Sequence, residues 1–145
     1  GMGIISLSLP VIEELQNHLA CIEEEKDHLM NRIFPHISQE RTDFERDLAH
    51  YADQLSRLIK TAKKSENSGN DVPFVVIGSE VTVLDLKRKK PLKFKLIGPC
   101  NESKSGCISC MSPVGRSLIL RKVDEEVAVE VPAGLFQYRV QEIHM

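Results

Sequence analysis

Apolar residues in the first half of the chain recur at alternating spacings of three and four. One series runs Ile12, Leu15, Leu19, Ile22, Leu29, Ile33, interrupted only at Lys26, and a second runs Phe44, Leu48, Tyr51, Leu55, Leu58, Ala62. A stripe with this period marks a helix that buries one face. Two such stripes separated by a short break predict two antiparallel helices zipped along one seam. Ser8 is placed to cap the first helix, and Pro10 suits its first turn. The break reads Phe34-Pro35-His36-Ile37-Ser38. Pro35 lacks an N–H and disfavours helix at the residue before it, so the first helix should stop near Phe34. Two caps are available to the second helix. Ser38 would start it early, whereas a capping box of Thr42 with Glu45 would lengthen the loop.

The period then changes. Residues 67–73, within the polar stretch from Lys64 to Pro73, read as a linker with Gly69 and Pro73 as breakers. Phe74 to Ile77 is an apolar lead-in. Alternation with period two follows from about Glu80 through Val81, Val83 and Leu84, and again at Leu92, Phe94 and Leu96, with Lys87 to Lys90 as the turn between. After turn-rich residues 99–106, Cys107 to Met111 is short and strand-like. Ser112 and Pro113 can open one or two helical turns over Pro113–Leu120. Val127, Val129 and Val131 alternate, Pro132-Ala133-Gly134 is a hairpin turn, and Leu135 to Ile143 closes the sheet with Phe136, Tyr138 and Val140 on one face. The expected class is α+β: a helical hairpin over residues 1–66, then a compact antiparallel β domain over 74–145.

Charge supports two modules. Residues 1–72 carry 8 Lys/Arg against 13 Asp/Glu, and residues 73–145 carry 11 against 8. That balance does not describe a free-standing DNA binder. The basic turn Lys87 to Lys90 is read as a solvated hairpin tip rather than a nucleic-acid contact, since the chain has no Trp and few aromatics. No apolar run is long enough to span a bilayer, and the stretch from Gly3 to Leu9 is too short and lacks the basic leader of a secretory signal. A cytoplasmic place is expected, with the four cysteines reduced. Cys107 and Cys110 have C-x-x-C spacing and Cys100 lies near, but a zinc site needs a fourth ligand and only the remote His144 offers one. Buried or half-buried thiols in a strand are expected, and no bound metal. No Gly-rich phosphate loop or nucleophile set points to a free-standing enzyme.

The run from Ile108 through Ser112-Pro113-Val114-Gly115-Arg116 to Leu118 resembles the signature of the GreA/GreB transcription elongation factor family. The resemblance extends over Ile77 to Leu84, Val127 to Gly134 and Tyr138 to Ile143, covering nearly all of residues 76–143. It implies a coiled-coil hairpin paired with an FKBP-like β domain. It also implies a partner, the core of RNA polymerase, with nucleic acid met only through the polymerase and no membrane. Ser112, Pro113, Val114, Gly115 and Arg116 would face the polymerase, and the hairpin would enter its secondary channel. The family carries Asp-x-x-Glu-Asn at the hairpin tip, and those acids help hold a second catalytic Mg2+ and an attacking water. Hard oxygen ligands suit that ion, and two metals assist phosphodiester hydrolysis.

The chain departs from the family at the tip. Its nearest arrangement is Glu40-Arg41-Thr42-Asp43-Phe44, with the acids exchanged and Phe in place of Asn; another register aligns Thr42 and Glu45 with the acids. The family also has Gly where this chain has Leu120, and Gly-Asp where it has Asp124-Glu125. Glu40, Asp43 and Glu45 are therefore candidate tip acids, and Phe34 and Phe44 candidate apolar tip residues, with Phe34 expected to be exposed. The bland reading of the acids is that carboxylates suit the first turn of a helix. The favoured function is a polymerase-binding regulator with little or no stimulation of transcript cleavage, similar to the Gre-like anti-cleavage factors. It would be an accessory factor, with no intrinsic cofactor beyond Mg2+ shared with the polymerase. A true cleavage factor is the alternative. An FKBP-like binding or chaperone module is a third reading, and it requires an aromatic-lined pocket from Phe94, Phe136 and Tyr138.

Overall fold

A computed structural model describes residues 5–66, 69–98 and 105–145 of the chain. The chain divides into two compact units, Gly1–Ser68 and Gly69–Met145.

The first unit is the helical hairpin. Helix α1 spans Leu9–Ile33 and α2 spans Gln39–Thr61. Ser8 caps α1 by accepting the N–H of Val11, with a proline in the first turn. Ile12, Leu15, Ile22 and Leu29 of the first stripe and Tyr51, Leu55 and Leu58 of the second are buried. Leu19, Ile33, Phe44, Leu48 and Ala62 are half-buried, as expected where two helices have no third layer over them. Across the seam His18 Nε2 and the Tyr51 hydroxyl lie 2.8 Å apart, with the rings edge to face at 5.8 Å. Burial pushes the imidazole pKa down to about 4. The base of the hairpin is closed by two strands of two residues each, which the sequence reading did not contain. Strand β1 (Ser6–Leu7) runs parallel to β2 (Lys63–Lys64), and Leu7 is fully buried. Two residues are too few to show alternation, so nothing in the pattern announced them.

The second unit is a five-stranded sheet with a short helix. Strands β3 (Glu80–Asp85), β4 (Lys90–Ile97), β5 (Cys107–Ser109), β6 (Glu126–Val131) and β7 (Gly134–His144) lie in the order β5-β4-β3-β7-β6. Helix α3 spans Pro113–Leu118. The β3–β4, β3–β7 and β6–β7 pairs are antiparallel. Strand β5 is parallel to β4, pairing Lys95 with Cys107 and Ile97 with Ser109. The sheet is therefore mixed, which corrects the expectation of an antiparallel domain. Side-chain alternation reports faces and carries no information on strand direction, so a turn-rich connection of this length reads equally as a hairpin loop or as a return. Strand β7 sits inside the sheet between β3 and β6, where its ladder is paired on both sides.

The core draws on every element of this unit except β5. Val81, Val83, Leu96, Val127, Val129, Tyr138, Val140 and Ile143 are buried from the strands, and Leu118 from α3. The apolar lead-in contributes Val75, Val76 and Ile77, all buried without joining the sheet. On β7 the register shifts, because Thr82 pairs with Glu142 while Val83 pairs with Val140, leaving Gln141 as a bulge. The shift explains why Tyr138 and Val140 are followed into the core by Ile143 and not by Glu142.

Residues 70–72, expected in the linker, are hydrogen-bonded to the end of β7. Val72 N donates to Ile143 O at 3.3 Å, and Met145 N donates to Asn70 O at 2.7 Å. His144 adds an ionic tie, with Nδ1 2.5 Å from Asp71 Oδ1 and Nε2 3.3 Å from Glu142 Oε2. The hydrogen bond to Glu142 raises the imidazole pKa above its usual 6.5, partial burial opposes the rise, and the Asp71 carboxylate adds to it. A raised pKa in the folded state contributes stability that is complete below 6.5 and is lost as pH rises through the raised value. Replacing His144 with Gln should remove that fall from the thermal stability profile of the second unit. An unchanged profile would show that the carboxylates do not act on the ring.

Candidate functional site

The hairpin tip is built from five loop residues, 34–38. The Phe34 N–H donates to Met30 O at 2.8 Å and ends α1, and Ser38 caps α2 by accepting the N–H of Arg41 at 3.0 Å. This is the shorter of the two loops offered by the sequence. Thr42 lies inside the helix, where its hydroxyl donates back to Ser38 O at 3.2 Å, so it does not form a capping box with Glu45. Arg41 braces the turn: its guanidinium donates to Phe34 O and, at 3.2 Å, to Asn31 Oδ1. A cation on the last carbonyls of α1 is where the helix dipole favours it. Sequence reasoning missed Arg41, because no spacing rule links a residue of one helix to the end of another.

Phe34 is not the exposed tip residue it was expected to be. Its ring is half-buried against Phe44, with centroids 5.4 Å apart and planes tilted by 46°. The two rings extend the seam to its end, which a five-residue turn permits. The exposed apolar residue at the tip is Ile37, at 96% of its accessible surface. The available signal was an isoleucine in a short loop and outside both stripes.

The candidate acids lie on α2. Glu40 and Glu45 are exposed. Asp43 is half-buried, accepts a hydrogen bond from Gln39 Nε2 at 2.8 Å and pairs with Arg46 at 3.4 Å. With about 100° of rotation per residue, Asp43 and Glu45 point to opposite sides of the helix. Glu40 and Asp43 are neighbours one turn apart. Among the described residues no group of three or more His, Cys, Asp or Glu side chains is placed to hold a metal ion.

The Ser-Pro turn is the second candidate. Ser112 caps α3 by accepting the N–H of Gly115 at 3.1 Å, and its own hydroxyl donates to Ser109 O at 2.7 Å. Gly115 is buried, and a Cβ there would lie 2.0 Å from Ser109 O. Glycine is thus a packing requirement at this position. Ser112 and Val114 are half-buried, while Pro113 and Arg116 are exposed. Of the five residues expected to face a partner, Pro113 and Arg116 offer the most surface, and Ser112 and Gly115 hold the turn together.

Cys107 and Cys110 are free, and burial raises the Cys110 thiol pKa, with a backbone hydrogen bond opposing it. Cys21 is disulfide-bonded, which corrects the expectation of four reduced thiols. Cys100 lies outside the described residues. His144, the remote candidate ligand, faces Asp71 and Glu142 instead. The aromatics required by a binding pocket are packed on one another: Tyr138 is 6.3 Å from Phe94 and 6.2 Å from Phe136, centroid to centroid. Among the described residues no helix is long and apolar enough to cross a membrane. Leu120 and Asp124, where the resembled family has Gly, hold left-handed φ values of 66° and 75°. Glycine adopts that conformation freely, which gives the family preference a physical reason.

Residues 70–145 match the family described as "Transcription elongation factor, GreA/GreB, C-term". The chain is 38% identical over 135 residues to transcription elongation factor GreA of Novosphingobium aromaticivorans, covering 90% of this chain and 82% of that protein. It is 36% identical over 127 residues to GreA of Sphingopyxis alaskensis, covering 85% and 77%. The solved GreA/GreB factor from Nitrosomonas europaea aligns over 99% of both chains with a TM-score of 0.50 at 19% identity, a likeness of fold. With one half matched as a family unit and the whole aligned to GreA along nine tenths of its length, this chain belongs to the GreA/GreB family of transcription elongation factors.

Proposed function

We propose that this chain regulates transcript elongation by binding the core of bacterial RNA polymerase. Residues 74–145, an FKBP-like β domain in this reading, dock through the Ser-Pro turn with Pro113 and Arg116 outermost. The hairpin, residues 1–66 joined by a linker over 67–73, enters the secondary channel and stimulates RNA cleavage weakly or not at all. The protein is then a cytoplasmic accessory factor whose only Mg2+ is the polymerase's own. Family membership supports the partner. The observation that carries the weak-cleavage reading is the placement of the tip acids.

Holding a second catalytic ion requires carboxylates fixed to within a fraction of an ångström. Asp43 is instead shared between Gln39 and Arg46, and Glu45 points away from it. Phe44 stands where the family has an amide, and its ring is committed to Phe34. Glu40 and Asp43 are the pair that the alternative, a true cleavage factor, would have to use. The deciding experiment adds the protein to immobilised, backtracked polymerase complexes and measures retention and RNA cleavage together. Retention with cleavage near the polymerase's intrinsic rate is expected. Loss of retention would remove the docking reading. Rapid cleavage abolished by Glu40→Ala, Asp43→Ala or Glu45→Ala would establish the alternative.

A further inference from the structure

The turn between β3 and β4 places Lys87, Arg88, Lys89 and Lys90 at four successive exposed positions. Among the described residues none of the four is in an ion pair, whereas Lys93 further along β4 pairs with Glu80 and Arg139 on β7 pairs with Glu126. The carboxylate that opens the turn, Asp85, is 3% exposed and is spent on the turn's backbone. Its Oδ1 accepts the N–H of Lys87 at 3.0 Å and of Arg88 at 3.1 Å. The Lys89 N–H donates to Asp85 O at 2.7 Å. Asp85 therefore fixes the turn's shape and leaves its cations unanswered.

Lys89 adds an independent observation. Its φ is 57°, in the left-handed region. A side chain there costs about 1 kcal/mol relative to glycine. The sequence keeps a cation at a position where the least strained residue would carry none.

The chemistry of the partner follows from what accompanies the charges. Leu86 is half-buried, and the aromatic side chain beside the turn, Tyr138 opposite Asp85, is buried and packed against Phe94 and Phe136, so it offers no open face. A protein interface needs apolar or aromatic anchors at its centre. Bases of a single strand need aromatic faces to stack upon. A duplex phosphate backbone needs only positive charge at fixed spacing. We infer that the β3–β4 turn is a sequence-independent contact for the phosphate backbone of duplex nucleic acid. This contact does not depend on polymerase docking, and it is measurable with the free chain.

The test titrates the full chain against a short labelled DNA duplex by fluorescence anisotropy over a salt series. Binding at low salt should weaken with a slope of about −3.6 in log K against log salt, for four phosphates. Lys89→Gly should melt at the same or a higher temperature and make the slope shallower by about 0.9. Replacing all four residues with Gln should weaken binding about ten-fold or more. Replacing Lys60, Lys63 and Lys64 with Gln should leave binding unchanged. Absence of binding at low salt, full affinity in the four-residue variant, or equal loss in the three-lysine variant would overturn the inference. Equal competition by polyglutamate would overturn it in favour of an acidic protein surface.

Discussion

Acidification from pH 6.5 towards 4 should destabilise the helical hairpin by roughly 3 kcal/mol through His18 alone, at about 1.4 kcal/mol per pKa unit. The imidazole is half-buried in the seam beside the Tyr51 hydroxyl, and removal from water disfavours its charged form. In that window an unfolded chain carries a proton on His18 that the folded hairpin refuses. Protons therefore favour unfolding: the stability is complete above 6.5 and is lost as pH falls towards the depressed value. Two packed helices with a half-open seam have little reserve against such a loss. Far-UV circular dichroism of thermal melts across this range should show the helical transition moving to lower temperature. His18→Leu should flatten that dependence to what the carboxylates alone contribute. An equally steep dependence in the variant would place the acid lability elsewhere.

The largest effect of a single methyl group is expected at Gly115. Its Cβ would meet three backbone atoms: Ser109 O at 2.0 Å, Ser109 C at 2.9 Å and Cys110 Cα at 3.1 Å. None is the flexible end of a side chain. Ser109 O is also held by the N–H of Ser112 at 3.0 Å and its hydroxyl at 2.7 Å, so retreat breaks the cap of α3. Overpacking of a core site costs about 1–3 kcal/mol, and a backbone collision of this depth belongs at or above the top of that range. Gly115→Ala should lower the unfolding midpoint of the second unit by roughly 10–20 °C, at about 4–8 °C per kcal/mol. Arg116→Ala, exposed and next to it, should melt like the unaltered protein. A normal melt for Gly115→Ala would mean that the turn relaxes in a way these distances do not suggest.

The hairpin was legible because a period of three and four survives in any helix that buries one face, and Ser8 and Ser38 carry capping chemistry in their side chains. The strands from Glu80 onward were legible for the matching reason. The direction of β5, the interior place of β7 and the bulge at Gln141 were not, since each depends on which strand lies alongside. The candidate site was legible in part. Ser112 was identified as a cap, while the need for glycine at 115 came from a collision with residues five and six positions earlier. At the tip, the sequence suggested an exposed Phe34, whereas the exposed apolar residue is Ile37. The burial of Phe34 depends on Arg41 and Phe44 closing the loop, and a linear pattern does not contain that closure.

The clasp of Ser6–Leu7 with Lys63–Lys64 brings the two ends of the hairpin to neighbouring strands. Paired strands lie about 4.8 Å apart. Everything between them therefore leaves and re-enters the chain through nearly one point, like a cassette. Such a segment can be moved into a surface loop of an unrelated scaffold whose ends are equally close. Its helices carry their own caps and seam, and would bring their tip with them.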